Sequence, residues 1–279
     1  MAPQKFASGE HNRFFAAPGT TSHIDTQTYA DFKLTLTDTF NRLVRICPFP
    51  IRDCPCYFFI LLLYLILATI SSIVETLLTT IFWIVALLYS VVIHEVSHGA
   101  VANSLGDPTA KNLGRLTLNP IKHLDMFGSV LLPLISFFLG GFIFGYAKPV
   151  PYNPLNLSDR KYGPAKVAIA GPASNIALAV LFGLVLRFLP DVFSSPLVPE
   201  LLGIVVILNL TLAIFNLFPV PPLDGHWLLM TFLPAKFEAI RTVLYRYSFA
   251  LLLVFLFFIF PLLIPLVRAL FRLLTGIGF

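Results

Sequence analysis

The sequence predicts an all-α polytopic membrane protein, and three observations carry that expectation. Apolar residues make up 57% of the 279-residue chain and charged residues 12%, about half the charged share of a soluble domain. Mean hydropathy is +0.84. Six uncharged stretches, 57–74, 77–93, 127–147, 167–186, 201–223 and 247–267, approach the roughly 20 residues that cross a hydrocarbon core. The lipid bilayer is therefore an expected partner. The net charge of +5 marks loops on the cytoplasmic side of a membrane and predicts no nucleic-acid partner.

Residues 1–56 read as a polar cytoplasmic tail without the apolar core of a secretory signal. Within it, 31–46 suits a short amphipathic helix on the membrane surface. Cys47, Cys54 and Cys56 lack the spacing of a paired zinc ribbon and read as juxtamembrane thiols. The membrane domain then runs over 57–275. Only Glu75 and Thr76 separate 57–74 from 77–93, which predicts a tight helical hairpin. The later loops are short and no soluble domain is inserted, so the chemistry belongs in the membrane or at its edge.

Residues 94–98 read HEVSH. On a helix, positions i and i+4 share a face, so His94 and His98 can present ring nitrogens to one metal ion. Glu95 beside the first ligand is placed to move protons. Zinc suits the pattern, because it lowers the pKa of bound water to about 7. Ionisable residues at membrane depth are rare and usually functional. A catalytic zinc has three protein ligands and an open position, so a third ligand is expected at similar depth. Asp224 is a candidate, since it ends the run 201–223 beyond Pro219, Pro221 and Pro222. Those prolines unwind a helix, and unwound chain at depth must be buried or line a cavity. A solvent-facing loop aspartate is the other reading, and His226 is the rival ligand.

His94-Glu95-x-x-His98 followed by Asn216-x-x-Pro219 and Leu223-Asp224-Gly225 resembles the site-2 protease family of intramembrane zinc metalloproteases. The family pattern N-x-x-P-x-x-x-x-D-G is matched from Asn216 to Gly225, and AGPASN, ending at Asn175, resembles its G-x-x-x-N signature. The resemblance implies Zn2+ held by His94, His98 and Asp224, with Glu95 as general base and acid. It implies substrate or oxyanion contacts for Asn216, and a substrate contact or a packing role for Asn175. The protease core would cover about 77–226. The runs GRLTLNP and FGYAKPVPYNP resemble the small branch of the family, without PDZ or CBS domains.

The ligands constrain topology. Asp224 and the histidines must reach one side of the membrane, so an even number of crossings separates residues 104 and 224. That makes 127–147 re-entrant and leaves about five transmembrane helices; the alternative is six spans. With a cytoplasmic tail, the re-entrant arrangement puts 16 of the 19 Lys and Arg residues inside, as the positive-inside bias expects. Short β elements near the active site are a further expectation, and 127–151 would bind an extended substrate edge-on. The expected activity is cleavage of a transmembrane protein or peptide substrate, in a bacterial cytoplasmic membrane, by a site open to the cytoplasm. The alternative is a non-proteolytic membrane protein, either a helix-capturing inactive relative or a metal transporter.

Overall fold

Between residues 57 and 98 the sequence contains neither glycine nor proline, the residues that most readily interrupt a helix. The computed structural model, which describes residues 55–140, 145, 147–189, 193 and 197–277, has one helix there, α1 (Pro55–Ser104). The expected hairpin at Glu75–Thr76 is absent because no residue breaks the helix. The Thr76 and Thr80 hydroxyls instead donate to the Ser72 and Thr76 carbonyls at 2.8 and 2.7 Å. The tail, its segment 31–46, Cys47, Cys54 and Gly141 lie outside the described residues. The chain divides into the units Met1–Leu67 and Ala68–Phe279, and every site residue belongs to the second.

The protein is all-α, and among the described residues four helices are long and apolar enough to cross a membrane. They are α1, α3 (Gly163–Phe188), α4 (Leu197–Asn216) and α7 (Ser248–Thr275). Between α1 and α3, a π-helical turn at Met126–Leu131 leads into α2 (Leu132–Gly140). No strand forms among the described residues. The chain around Val150 has no regular secondary structure.

The core of the bundle lies where α3, α4 and α7 meet, at Ala179, Leu186, Val206, Leu210, Val267 and Phe271. Gly183 lets α3 approach α7 closely, since a Cβ there would stand 2.8 Å from Leu274 Cβ. Outer side chains of α1 such as Leu63, Ile73, Leu77 and Ile84 are exposed, as expected of an integral membrane protein whose solvent is lipid. Beyond α4 come two short helices, α5 (Gly225–Phe232) and α6 (Glu238–Arg246). Arg241 joins them by donating to the Met230 and Leu233 carbonyls.

Past α1, a buried aspartate organises the loops. Asp107 accepts from the Thr109 hydroxyl (2.6 Å), the Asn156 amide (2.9 Å) and the Asn153 N–H (2.7 Å). Burial alone would raise its pKa, but these donors outweigh burial and hold the carboxyl below the ordinary range. A depressed pKa contributes stability above the unfolded value near 3.9, lost as pH falls through the lower folded value. Asp107→Ala is expected to lose about 1–3 kcal/mol. Thermal unfolding in detergent should then show a gap between parent and variant that narrows as pH drops below about 4.

Candidate active site

The last turns of α1 carry His94 and His98, whose Nε2 atoms lie 3.0 Å apart. The Asp224 Oδ2 atom stands 3.0 Å from the first and 3.3 Å from the second. The structure thus brings together three side chains that the sequence separates by up to 130 positions. Their ligand atoms all fall within 4.8 Å of one another, a group able to hold a metal ion. Both histidines are buried.

Hydrogen bonds at the far side of each ring decide what faces the centre. His98 Nδ1 lies 2.7 Å from the Val167 carbonyl, which only accepts, so Nδ1 carries the proton. His94 Nδ1 lies 2.6 Å from Asn175 Oδ1, and a chain of partners sets the direction of that amide. Asn209 Nδ2 donates to the Val205 carbonyl (2.8 Å) and to Ser90 Oγ (2.9 Å). Asn209 Oδ1 therefore faces Asn175 Nδ2, at 2.8 Å. Asn175 Oδ1 is left to accept from His94. Both Nε2 atoms consequently present lone pairs to each other and to the carboxylate.

Three lone-pair atoms at such separations repel unless a cation lies among them. Zinc bond lengths of about 2.0–2.1 Å in tetrahedral geometry put neighbouring ligand atoms about 3.3 Å apart, so the group fits a metal of that size. Two further observations agree. Asp224 Oδ2 is buried and receives no hydrogen bond. A Cβ on Gly171 would lie 2.4 Å from His98 Nε2 and 2.6 Å from His94 Nε2. The glycine leaves free the space that the ring nitrogens converge on.

The segment after α4 positions the aspartate. Pro219, Pro221 and Pro222 prevent the helix from continuing, and the chain folds back so tightly that a Cβ on Gly225 would meet the Leu217 carbonyl. Asp224 immediately precedes α5 yet makes no side-chain cap to it, which leaves its carboxylate for the histidines. His226, the rival ligand, is turned away: its Nδ1 donates to the Leu223 carbonyl. Its ring stands 4.8 Å from that of Trp227 and 6.0 Å from that of Tyr245.

Glu95 is held from the loop. The Val150 N–H donates to its Oε2 at 2.9 Å, and Gly99 on α1 makes room for the Val150 side chain. Arg115 donates to the carbonyls of Lys122, Lys148 and Pro149, bracing the stretch that leads to Val150. Asn216 ends α4 with its Nδ2 on the Leu212 carbonyl at 3.0 Å. Asn175 is wholly buried and its amide is committed to His94, Asn209 and Ser90. Ser90 and Asn209 were not singled out from sequence, and Gly171 entered only as the glycine of the G-x-x-x-N run. Asn209 and Ser90 carry a readable signal, being polar groups within apolar runs.

Two outcomes follow. Gly171→Ala is expected to abolish retention of a divalent metal, read by elemental analysis of the purified protein. Asn175→Ala removes the acceptor of the His94 proton and should weaken metal affinity by about 10–100-fold, read by competition with a chelator.

Residues 82–194 and 191–255 match peptidase family M50. A Bacillus subtilis protein named "Putative zinc metalloprotease YwhC" is 39% identical over 178 residues, 61% of this chain and 78% of that protein. Two mycobacterial proteins of the same designation, both Rip2, are similar at lower identity. The one from Mycolicibacterium smegmatis is 35% identical over 50% of this chain and 52% of its own length. The one from Mycobacterium tuberculosis H37Rv is 31% identical over 62% and 65%. No solved structure matches. The chain belongs to peptidase family M50, the site-2 protease family of metalloproteases.

Proposed function

We propose that the protein is an intramembrane zinc endopeptidase that cuts transmembrane segments of other membrane proteins. The observation that carries this reading is the convergence of His94 Nε2, His98 Nε2 and Asp224 Oδ2 beside Glu95 at the end of an apolar helix. These three residues would hold zinc, which supplies a Lewis acid active at neutral pH. Glu95 takes a proton from the attacking water and delivers it to the leaving amine. The Val150 N–H fixes Oε2 of that carboxylate and so aims the proton transfer. Asn175 and the Val167 carbonyl orient the two rings. Asn216 is assigned to the substrate or its oxyanion.

A helical substrate hides its carbonyls, so it must unwind before it can react. The chain around Val150, free of regular secondary structure, is assigned to bind the backbone of an unwound segment. The site is assigned to the cytoplasmic face of a bacterial cytoplasmic membrane. After Ser104, ten of the thirteen Lys and Arg residues lie in 104–166 and 224–246, against Arg187, Arg268 and Arg272 at the opposite helix ends.

Glu95→Gln is expected to lower cleavage of a single-span model peptide by about 10²–10⁴-fold with zinc still near one per chain. A variant that cuts as fast as the parent would refute the protease reading. Single cysteines placed in 104–126 and 224–246 should both label from the cytoplasmic side. Opposite labelling would overturn the topology.

A further inference from the structure

A cavity of about 690 Å³ lies among the chain entering α3, helix α5 and helix α6. One face of α6 lines it with Glu238, Arg241, Thr242 and Tyr245, spaced i, i+3, i+4 and i+7. Trp227 of α5 and Lys161 line it as well. These walls run into two of the membrane-spanning helices. Lys161 stands two residues before α3, and Arg246, the end of α6, stands two before α7. The cavity therefore lies at the level where the chain enters the membrane. Two side chains of α6 that do not line it, Ile240 and Val243, are exposed and apolar. Lys161, Lys236 and Arg246 each lie over a neighbouring ring, those of Tyr162, Phe237 and Tyr247. Amphipathic helices and mixed aromatic and basic side chains of this kind belong at the bilayer surface.

The charge there is one-sided. Segments 159–166 and 234–246 carry six Lys and Arg residues against two acids, Asp159 and Glu238. Asp159 is taken by Lys166 at 2.8 Å. Glu238 stands 3.6 Å from Arg241 Nη1 with 72% of its side chain exposed, and so exposed a pair binds weakly. Arg241 is fixed by Nη2, which donates to the Met230 and Leu233 carbonyls at 3.1 and 2.6 Å. Those carbonyls hold the guanidinium in place but bring no net charge to cancel it. A ligand suited to this cavity joins an anionic head to an apolar body.

We propose that the cavity binds the headgroup of an anionic phospholipid. Lys161 and Arg241 take the phosphate, while Trp227 and Tyr245 pack on the glycerol and the upper acyl chain. Basic pockets at the ends of membrane helices suit such headgroups. A zwitterionic lipid fits less well, because its own cation meets the surplus of Lys and Arg. The inference goes beyond the protease reading and requires no cleavage.

Trp83 and Trp227 are the two tryptophans of the chain, so in Trp83→Phe the indole fluorescence reports on the cavity alone. The full chain in phosphatidylcholine vesicles receives increasing fractions of a lipid brominated in its acyl chains, bearing either a phosphatidylglycerol or a phosphatidylcholine headgroup. Quenching of Trp227 gives an apparent affinity for each. Phosphatidylglycerol is expected to be preferred by about tenfold or more, and Lys161→Gln to lower that preference about fivefold. Lys161→Arg should keep it. Thr242→Phe fills the cavity without changing its charge and should remove most of the preference, with thermal unfolding confirming that each variant is folded. Equal quenching by the two lipids overturns the proposal. A preference untouched by Thr242→Phe also overturns it, by assigning the attraction to diffuse surface charge. Relief of quenching by millimolar inorganic phosphate overturns it in favour of a free-phosphate site, and relief by a single-span model peptide in favour of a substrate groove.

Discussion

Repulsion among three lone pairs is the constraint around which the membrane unit is arranged. Two imidazole nitrogens and a carboxylate oxygen point at one another at 3.0–3.3 Å, in surroundings too apolar to screen them. Such a cluster persists only if the far sides of the ligands are tied down and a cation fills the near side. The ties are visible: a carbonyl for His98, an amide for His94, and for Asp224 a segment folded back on itself at Gly225. The helix packed against the rings yields as well, presenting Gly171 where any side chain would strike both ring nitrogens.

The loops are part of the same construction. Glu95 lies next to a metal ligand on α1, but its orientation comes from Val150, 55 residues later. Arg115 and Asp107 hold that stretch from opposite ends, through the carbonyls of Lys148 and Pro149 and through the N–H of Asn153. The carboxylate is therefore set jointly by a membrane helix and by the loop that follows it. That arrangement brings the Glu95 carboxylate and the backbone of Val150 to one edge of the site.

Much of the site was legible because its parts follow local rules. The i, i+4 spacing of His94 and His98 needs only helical periodicity, and the prolines before Asp224 announce unwound chain. Composition alone gave the all-α membrane class. What was hidden depends on pairings that sequence does not encode locally. Nothing near Asn175 reveals that its amide faces a histidine rather than a substrate, since this follows from Asn209 on another helix. The hairpin expected at Glu75–Thr76 rested on each half approaching the length of a span, with a charge between them. A charge at a helix surface does not break the backbone, and the segment lacks glycine and proline. The role of Gly171 was equally unreadable, because it consists of space reserved for something else.

The column formed by Ser90, Asn175 and Asn209 has a consequence for assembly. Each residue sits on a different helix, α1, α3 and α4, and each polar group finds its partner on another. Sliding any one helix by a single residue shifts it about 1.5 Å and turns it by about 100°. That slip would strand amides in hydrocarbon, where an unpaired group is costly. Apolar packing among Leu, Val and Ala tolerates neighbouring alignments far better. The three residues thus act as a registration key, selecting the one alignment of the bundle in which His94, His98 and Asp224 meet.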